Sequence, residues 1–266
     1  MTTPVHKGLH LGAKIGILGG GQLGRLLARA GAELGFDMHI YDPEIDCPAG
    51  RVAAQCVTAS WDDLSALAEF AGGVDVVTFE FENVPAASLA HIAAITPIRP
   101  GIKSLELTQD RLIEKQFINS LGFKTASFSH INSLEDLNQA LQDFGPDGIL
   151  KTRRFGYDGK GQIRVNRHSD LPAIWSDISN QPWIFEAFVD FAYEVSVILA
   201  RDVVGKIACY DVTENIHANG ILRTSTIPSK ISDPLAGQAV ACASIIAQAL
   251  DHIGVLAVEF FVTHDG

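Results

Sequence analysis

The amino-acid sequence predicts an α/β chain, with a parallel-sheet domain first and a distinct α+β module after it. Three observations predict this. Strand-like and helix-like segments alternate from about residue 14 to residue 100. A tight turn, Gly19-Gly20-Gly21-Gln22-Leu23-Gly24, joins the first strand to the first helix. Beyond Gly122 the texture changes, and residues 149–165 read as a lysine-bearing strand, a glycine-rich loop and a returning strand. Repeated βα units imply a parallel sheet with right-handed crossovers.

The apolar run 14–18 is a strand, and Leu23, Leu26, Leu27, Ala30 and Leu34 then fall at helical spacing. Residues 38–41 form a second strand ending in Asp42-Pro43. Ser60 is placed to cap a helix reaching about Ala71, residues 75–81 form a further strand, and Pro85 opens a helix to about Ile95. Residues 104–121 predict one long helix, with Leu105, Leu112, Phe117 and Leu121 near one face and Gly122 as its stop. A strand at 124–131 leads to a helix capped by Ser133 and ended near Gly145. After the lysine-bearing hairpin come a short helix at 172–178 and strands at 183–188, 194–200 and 204–213. Residues 235–262 contain Gln238, Gln248, Asp251, His252 and Glu259, so they read as a buried helix and a strand rather than a membrane span. The domain boundary falls near 110–125, giving a first domain of residues 1–110 and a second of 111–266. Within the second, a small lid subdomain covers about 124–186 and a larger one begins at about 187 and runs to 266. Asp265-Gly266 is a turn signal with no returning strand, so the sequence reads as a fragment whose C-terminal part is missing.

With 266 residues, 47% of them hydrophobic, the chain can bury a substantial core. Its net charge of −11 and the lack of a basic stripe exclude a nucleic-acid surface. The small cluster Lys151, Arg153, Arg154 suits one phosphorylated ligand. Four cysteines without a C-x-x-C pair predict reduced, partly buried thiols in a cytoplasmic protein. The nine histidines show no H-E-x-x-H spacing, which argues against zinc. Residues 1–13 contain no apolar h-region and are not a signal peptide.

Chemistry-bearing residues concentrate in two places. Gly19-x-Gly21-x-x-Gly24 fits a dinucleotide-binding turn, and Asp42, 18 residues after Gly24, lies where a ribose-binding acid would sit. The same turn also serves βαβ units that merely need close helix–strand packing. In the second half, the loop Phe155-Gly156-Tyr157-Asp158-Gly159-Lys160-Gly161-Gln162 has three glycines within six positions. Successive N–H groups in such a turn can line an anion-binding concavity, and Lys151 adds a charge beside it. A plain β-hairpin is the alternative reading of that loop. In a nucleotide site the backbone of 186–189 would meet the adenine edge, Glu194 the ribose hydroxyls, and Glu259 a Mg²⁺ ion. An ionised Glu259 in so apolar a strand calls for a metal or a salt-bridge partner.

Five segments, Gly-Gly-Gly-Gln-Leu-Gly (19–24), Thr-Phe-Glu-Phe-Glu-Asn-Val-Pro (78–85), Gln-Asp-Arg (109–111), Gly-Tyr-Asp-Gly-Lys-Gly-Gln (156–162) and Glu-Asn-Ile-His-Ala-Asn-Gly-Ile-Leu-Arg-Thr-Ser (214–225), appear in this order. In order and spacing the set resembles the 5-(carboxyamino)imidazole ribonucleotide synthase family of ATP-grasp enzymes, from about Lys14 to Gly266. The resemblance implies a Rossmann-like pre-ATP-grasp domain followed by an ATP-grasp domain. It implies that Arg111 and Lys151 contact ATP phosphates beneath the loop Gly156, Tyr157, Asp158, Gly159, Lys160, Gly161 and Gln162. Glu186, Ala187, Phe188 and Val189 would hold the adenine, with Glu194 on the ribose and His217 near the nucleotide. Gln22, Leu23, Glu80 and Glu82 would face the ribonucleotide substrate. Glu259 would be the first carboxylate for Mg²⁺, with Mn²⁺ an acceptable substitute, and Arg223 a catalytic anion contact alongside Lys151. The family normally continues with a second metal carboxylate that this sequence lacks.

The activity so implied is ATP-dependent carboxylation of aminoimidazole ribonucleotide by bicarbonate in purine biosynthesis, through carboxyphosphate, in a homodimer that binds neither nucleic acid nor membrane. A formate-using ligase of the same superfamily, an NAD-binding module and a fragment that binds ATP without turnover are the competing readings.

Overall fold

The computed structural model describes residues 8–156, 159–218 and 220–265. The chain divides into two compact units. The first runs through Glu106 and includes Asp202–Lys206 and Asp251–Gly254; the second holds Leu107–Arg201, Ile207–Leu250 and the residues from Val255 on.

The first unit opens with β1 (Lys14–Leu18), α1 (Gln22–Glu33), β2 (Asp37–Asp42), β3 (Gln55–Thr58), α2 (Leu64–Gly72), β4 (Val76–Phe79), α3 (Ala86–Ala93) and α4 (Ile102–Thr108). Its sheet has the order β3-β2-β1-β4 with every pairing parallel, as the βα alternation predicts. Alternation along β1 sends Leu18 into one core with Tyr41, Leu67, Phe70, Leu89 and Ile92, and Ile17 into another with Ala28, Met38 and Ile40.

Several expectations change here. The leucines of α1 do not face the sheet; Gly24, Ala28 and Gly31 do, while Leu23, Leu26, Leu27 and Leu34 are exposed. A Cβ at Gly31 would collide with the Met38 sulfur, so only small residues allow this close approach. Asp63, rather than Ser60, caps α2, its carboxylate accepting the Ala66 N–H at 3.0 Å. The short edge strand β3 was not anticipated.

The second unit contains α5 (Arg111–Ser120), β5 (Phe128–Ile131), α6 (Leu134–Phe144), β6 (Gly148–Thr152), β7 (Gln162–Val165), α7 (Leu171–Ile178), β8 (Trp183–Ala187), β9 (Tyr193–Arg201), β10 (Ile207–Cys209), β11 (Thr213–Ala218), β12 (Ile221–Thr226), α8 (Asp233–Ala249) and β13 (Gly254–Val262). An antiparallel sheet β5-β8-β6-β7 packs one face through Ile131, Leu137, Leu150, Val165, Ile178, Trp183 and Phe185. A five-stranded sheet orders β10-β9-β11-β12, with β13 also paired to β9. Val195, Val197 and Leu199 of β9 pack against Ala239, Ala243 and Ala247 of α8.

The predicted long helix is two helices, α4 and α5, because Asp110 leaves the helical region (φ −119°, ψ 114°) to cap α5 by accepting the Leu112 N–H. A capping aspartate offers the backbone an alternative to helix continuation. The predicted strand at 204–213 is likewise split into β10 and β11, and β12 was missed.

Candidate functional site

Alternation and register build the first cluster of functional side chains. Leu150 and Phe185 oppose each other on the core face, so Lys151 and Glu186, one residue on from each, point to the other face as diagonal neighbours. Lys151 Nζ donates to Glu186 Oε2 at 2.8 Å. Lys115 Nζ, from α5, lies 3.4 Å from the same oxygen. Burial alone would raise the Glu186 carboxyl, but Lys151 and then Lys115 hold it below the ordinary range. Burial also lowers Lys115, against the opposing pull of Glu186. Sequence reading placed Glu186 at the adenine and missed Lys115. The one available signal was its spacing, one helical turn after Arg111.

The start of α5 is tied to the end of β6. Arg111 N–H donates to the Arg153 carbonyl at 2.9 Å, and the Arg111 guanidinium donates to the Gly156 carbonyl at 3.1 Å. Arg153 grips Asp110 bidentately, at 2.9 Å and 2.5 Å, and its Nη1 is 3.0 Å from His130 Nε2. Arg154 donates to Gln109 at 2.8 Å. The expected cationic trio is therefore corrected: Arg153 is a structural fork, Arg154 is tied to Gln109, and Lys151 with Arg111 faces the loop and Glu186. Burial would raise Asp110, but the Arg153 hydrogen bonds bring it below its usual value.

The glycine loop connects β6 to β7. Tyr157 and Asp158 lie outside the described residues. Gly161 has φ +71°, and a Cβ there would lie 2.6 Å from Thr152 Oγ1. Thr152 N–H donates to the Gly161 carbonyl at 2.8 Å, which closes the loop's base. A Cβ on Gly220, at the β11–β12 hairpin, would come 2.9 Å from Gly159 Cα, so that hairpin abuts the loop. Lys160 and Gln162 are exposed along it. Such a loop can present amides to an anion.

The five-stranded sheet carries the second cluster. On the face away from α8, Glu194 accepts from or shares a proton with His217, with Nδ1 and Oε2 2.6 Å apart. Beside them Asn215 donates to Ser196 Oγ, and Ser225 donates to Asn215 at 2.8 Å. Glu194 and His217, assigned separately from sequence, are thus brought together. Glu259 points to the same side, because Leu256, Val258 and Phe260 of β13 pack toward α8. It is exposed, so the argument that an apolar strand makes its charge costly does not hold. Among the described residues no group of three or more His, Cys, Asp or Glu gathers as a metal cage. One carboxylate plus substrate phosphates is, however, a usual way to hold Mg²⁺, and Glu259 fits that mode.

Three further residues differ from expectation in detail. Ala187 N–H donates to Ser127 at 2.8 Å and Phe188 N–H to Asp147 at 3.2 Å, so these amides are already committed to protein carbonyls. An adenine edge would instead use carbonyls of this stretch and the Val189 N–H, which has no partner among the described residues. Arg223 is the extra residue at a β-bulge between β11 and β12, on an exposed strand, with no ion pair among the described residues. Bulges re-aim side chains next to sites.

In the first unit, Gln22 and Leu23 are exposed at the start of α1. The Glu80 carboxylate lies against the glycine turn, so close that a Cβ on Gly21 would collide with its Oε1; burial pushes the carboxyl up, and the backbone N–H groups of Gly24, Gly21 and Leu23 oppose the rise. Gly20 N–H donates to Asp42 Oδ2 at 2.6 Å, and Glu44 N–H to Oδ1 at 2.7 Å. Asp42 therefore braces the turn rather than waiting for a ribose, and the dinucleotide reading loses its acid. Glu82 is exposed.

Comparison with known proteins follows the same division. Residues 12–109 match the ribonucleotide synthetase preATP-grasp domain, and residues 116–266 match the ATP-grasp domain. The chain is 47% identical over 257 residues to the N5-carboxyaminoimidazole ribonucleotide synthase of Brucella melitensis, covering 96% of this chain and 71% of that protein. It is 38% identical to that of Pseudomonas aeruginosa, covering 95% and 69%. Among solved structures, an ADP complex of N5-carboxyaminoimidazole ribonucleotide synthetase superimposes with a TM-score of 0.91 at 38% identity, covering 97% of this chain and 68% of that one. The Aspergillus clavatus enzyme, in complex with ADP and 5-aminoimidazole ribonucleotide, gives 0.86 at 26% identity, covering 96% and 67%.

Proposed function

This chain belongs to the N5-carboxyaminoimidazole ribonucleotide synthase family of ATP-grasp ligases, and we propose from its own geometry how it carries out that family's ATP-dependent carboxylation of aminoimidazole ribonucleotide. The single observation that supports the reading is the placement of Lys151, Lys115 and Arg111 around one buried carboxylate, beneath a glycine loop.

Phosphoryl transfer from ATP to bicarbonate needs alignment and charge neutralisation more than covalent help. Lys151 places its ammonium on the polar face of the four-stranded sheet, where it can meet a phosphate oxygen. Arg111, held at the Gly156 carbonyl, links the nucleotide's charge to the position of the loop. Loop amides around Gly159 and Gly161 close over the phosphates and exclude water, which would otherwise hydrolyse the carboxyphosphate. Glu194 and His217 form a hydrogen-bonded pair that fixes the carboxylate for the ribose hydroxyls. Mg²⁺ would be held by Glu259 together with the phosphates and supplies charge neutralisation there. In the first unit, Gln22 and Leu23, at the turn braced by Glu80, are the residues we assign to the ribonucleotide substrate. We place the protein in the cytoplasm as a homodimer.

Phosphate release tests the substrate assignment. With ATP, Mg²⁺ and aminoimidazole ribonucleotide, bicarbonate is expected to drive phosphate formation and formate is not. Phosphate formed with formate and a glycinamide-type ribonucleotide, but not with bicarbonate, would move the chain to the formate-using branch.

A further inference from the structure

The charges beneath the glycine loop do not balance. Lys151, Lys115 and Arg111 bring three positive charges to the single carboxylate of Glu186, and Glu114, which also acts on Lys115, is a second acid nearby. The two ammonium groups share a single carboxylate oxygen, at 2.8 Å and 3.4 Å. They are not equivalent. The Lys115 side chain is 16% exposed, the Lys151 side chain 23%, and Glu186 only 8%. Lys115 comes from α5, whose first turn is anchored by Asp110 and Arg153, whereas Lys151 lies one residue before the end of β6, on the strand that leads into the loop.

Resting on the nucleotide reading above, we infer that Lys115 is a positioning residue: it is the resident counter-ion of Glu186, and it frees Lys151 to leave that carboxylate for a nucleotide phosphate. A buried carboxylate whose partner departs is strongly penalised, because it is left desolvated and unpaired. With Lys115 in place, Lys151 can move to a phosphate and Glu186 keeps an ammonium 3.4 Å away. Without Lys115, Glu186 competes with the phosphate for Lys151. The depressed Glu186 carboxyl, held by both lysines, agrees with this division of labour. Lys115 thus acts on the nucleotide through Glu186 and Lys151, and its role differs from that of a lysine that simply fastens α5 to the sheet.

The test is a double-mutant cycle read by ADP binding in calorimetric titration, with folding of each variant checked by circular dichroism and melting. Lys115→Met is expected to weaken ADP binding about tenfold, the scale of coupling between charges that share a partner. In a Glu186→Gln background the same substitution is expected to change affinity less than about twofold. Lys115→Arg, which keeps the charge, should recover most of the loss. A second measurement needs no change at Glu186: Lys115→Met should weaken ADP but leave adenosine, which lacks phosphates, bound as in the wild type. Equal losses in both backgrounds, or equal losses for ADP and adenosine, are what a direct phosphate contact or a simple fastening would give, and either would overturn the proposal. A wild-type chain that binds no ADP would overturn the underlying reading and the proposal with it.

Discussion

Lys151→Ala is expected to weaken Mg-ATP binding by about 10–100-fold, the scale of losing a charged hydrogen bond worth about 1.5–3 kcal/mol. Turnover should fall further, by roughly 10²–10³, if the same ammonium stabilises charge that develops during phosphoryl transfer. The fold should tolerate the change. Lys115 stays beside Glu186, so the carboxylate keeps a counter-ion and the melting temperature should drop by no more than about 2–4 °C. Titration calorimetry, a phosphate-release assay and a melting curve separate the three effects. Unchanged affinity together with unchanged turnover would show that Lys151 does not face the phosphates.

Asp110→Ala should strongly destabilise the second unit although it removes no core side chain. It removes the cap of α5 and leaves Arg153 without its bidentate partner. Loss of a cap costs about 1 kcal/mol, and breaking a partly buried fork adds about 2 kcal/mol more. A total near 3 kcal/mol corresponds to a fall of roughly 6–12 °C in melting temperature for a chain of this size. Because Arg111 begins the same helix, nucleotide binding should weaken as well. The pH dependence follows from the direction of the Asp110 shift. Its folded pKa lies below the ordinary value of 3.8, so its stabilisation is fully present above that pH and is lost as pH falls through the lower, folded value. Melting curves from pH 5 to pH 2.5 should therefore fall less steeply for Asp110→Asn than for the wild type. Parallel curves would mean that Asp110 is not held ionised by Arg153.

What could be read directly in the residues was local. The hairpin at 149–165 announced itself through a lysine strand, three glycines and an apolar returning strand, and β6 and β7 lie there. The parallel sheet followed from βα alternation. The break at Asp110 was not read, although aspartate is a favoured cap, because the apolar residues on either side of it continue near one helical face. Glu186 was read for its backbone at the adenine edge, and the role of its side chain was not legible, because only the register of β6 against β8 reveals that it meets Lys151. Lys115 escaped for the same reason, since its partner lies across the fold of the unit. The helical spacing of the α1 leucines located the helix but not its packed face, because periodicity identifies a stripe without saying which stripe packs; Gly24, Ala28 and Gly31 permit the closer approach. The short strands β3 and β12 are sheet edges with polar sequences, and a period-2 pattern is weakest there.

Thermal melting with added nucleotide tests the central claim, a triphosphate site beneath the loop at Lys151, most directly. Mg-ATP at 100 times its dissociation constant should stabilise the chain by about 2.7 kcal/mol and raise the melting temperature by several degrees, while NADH at the same concentration should leave it unchanged. A rise with NADH and none with Mg-ATP would place the ligand at the glycine turn of the first unit and contradict this assignment.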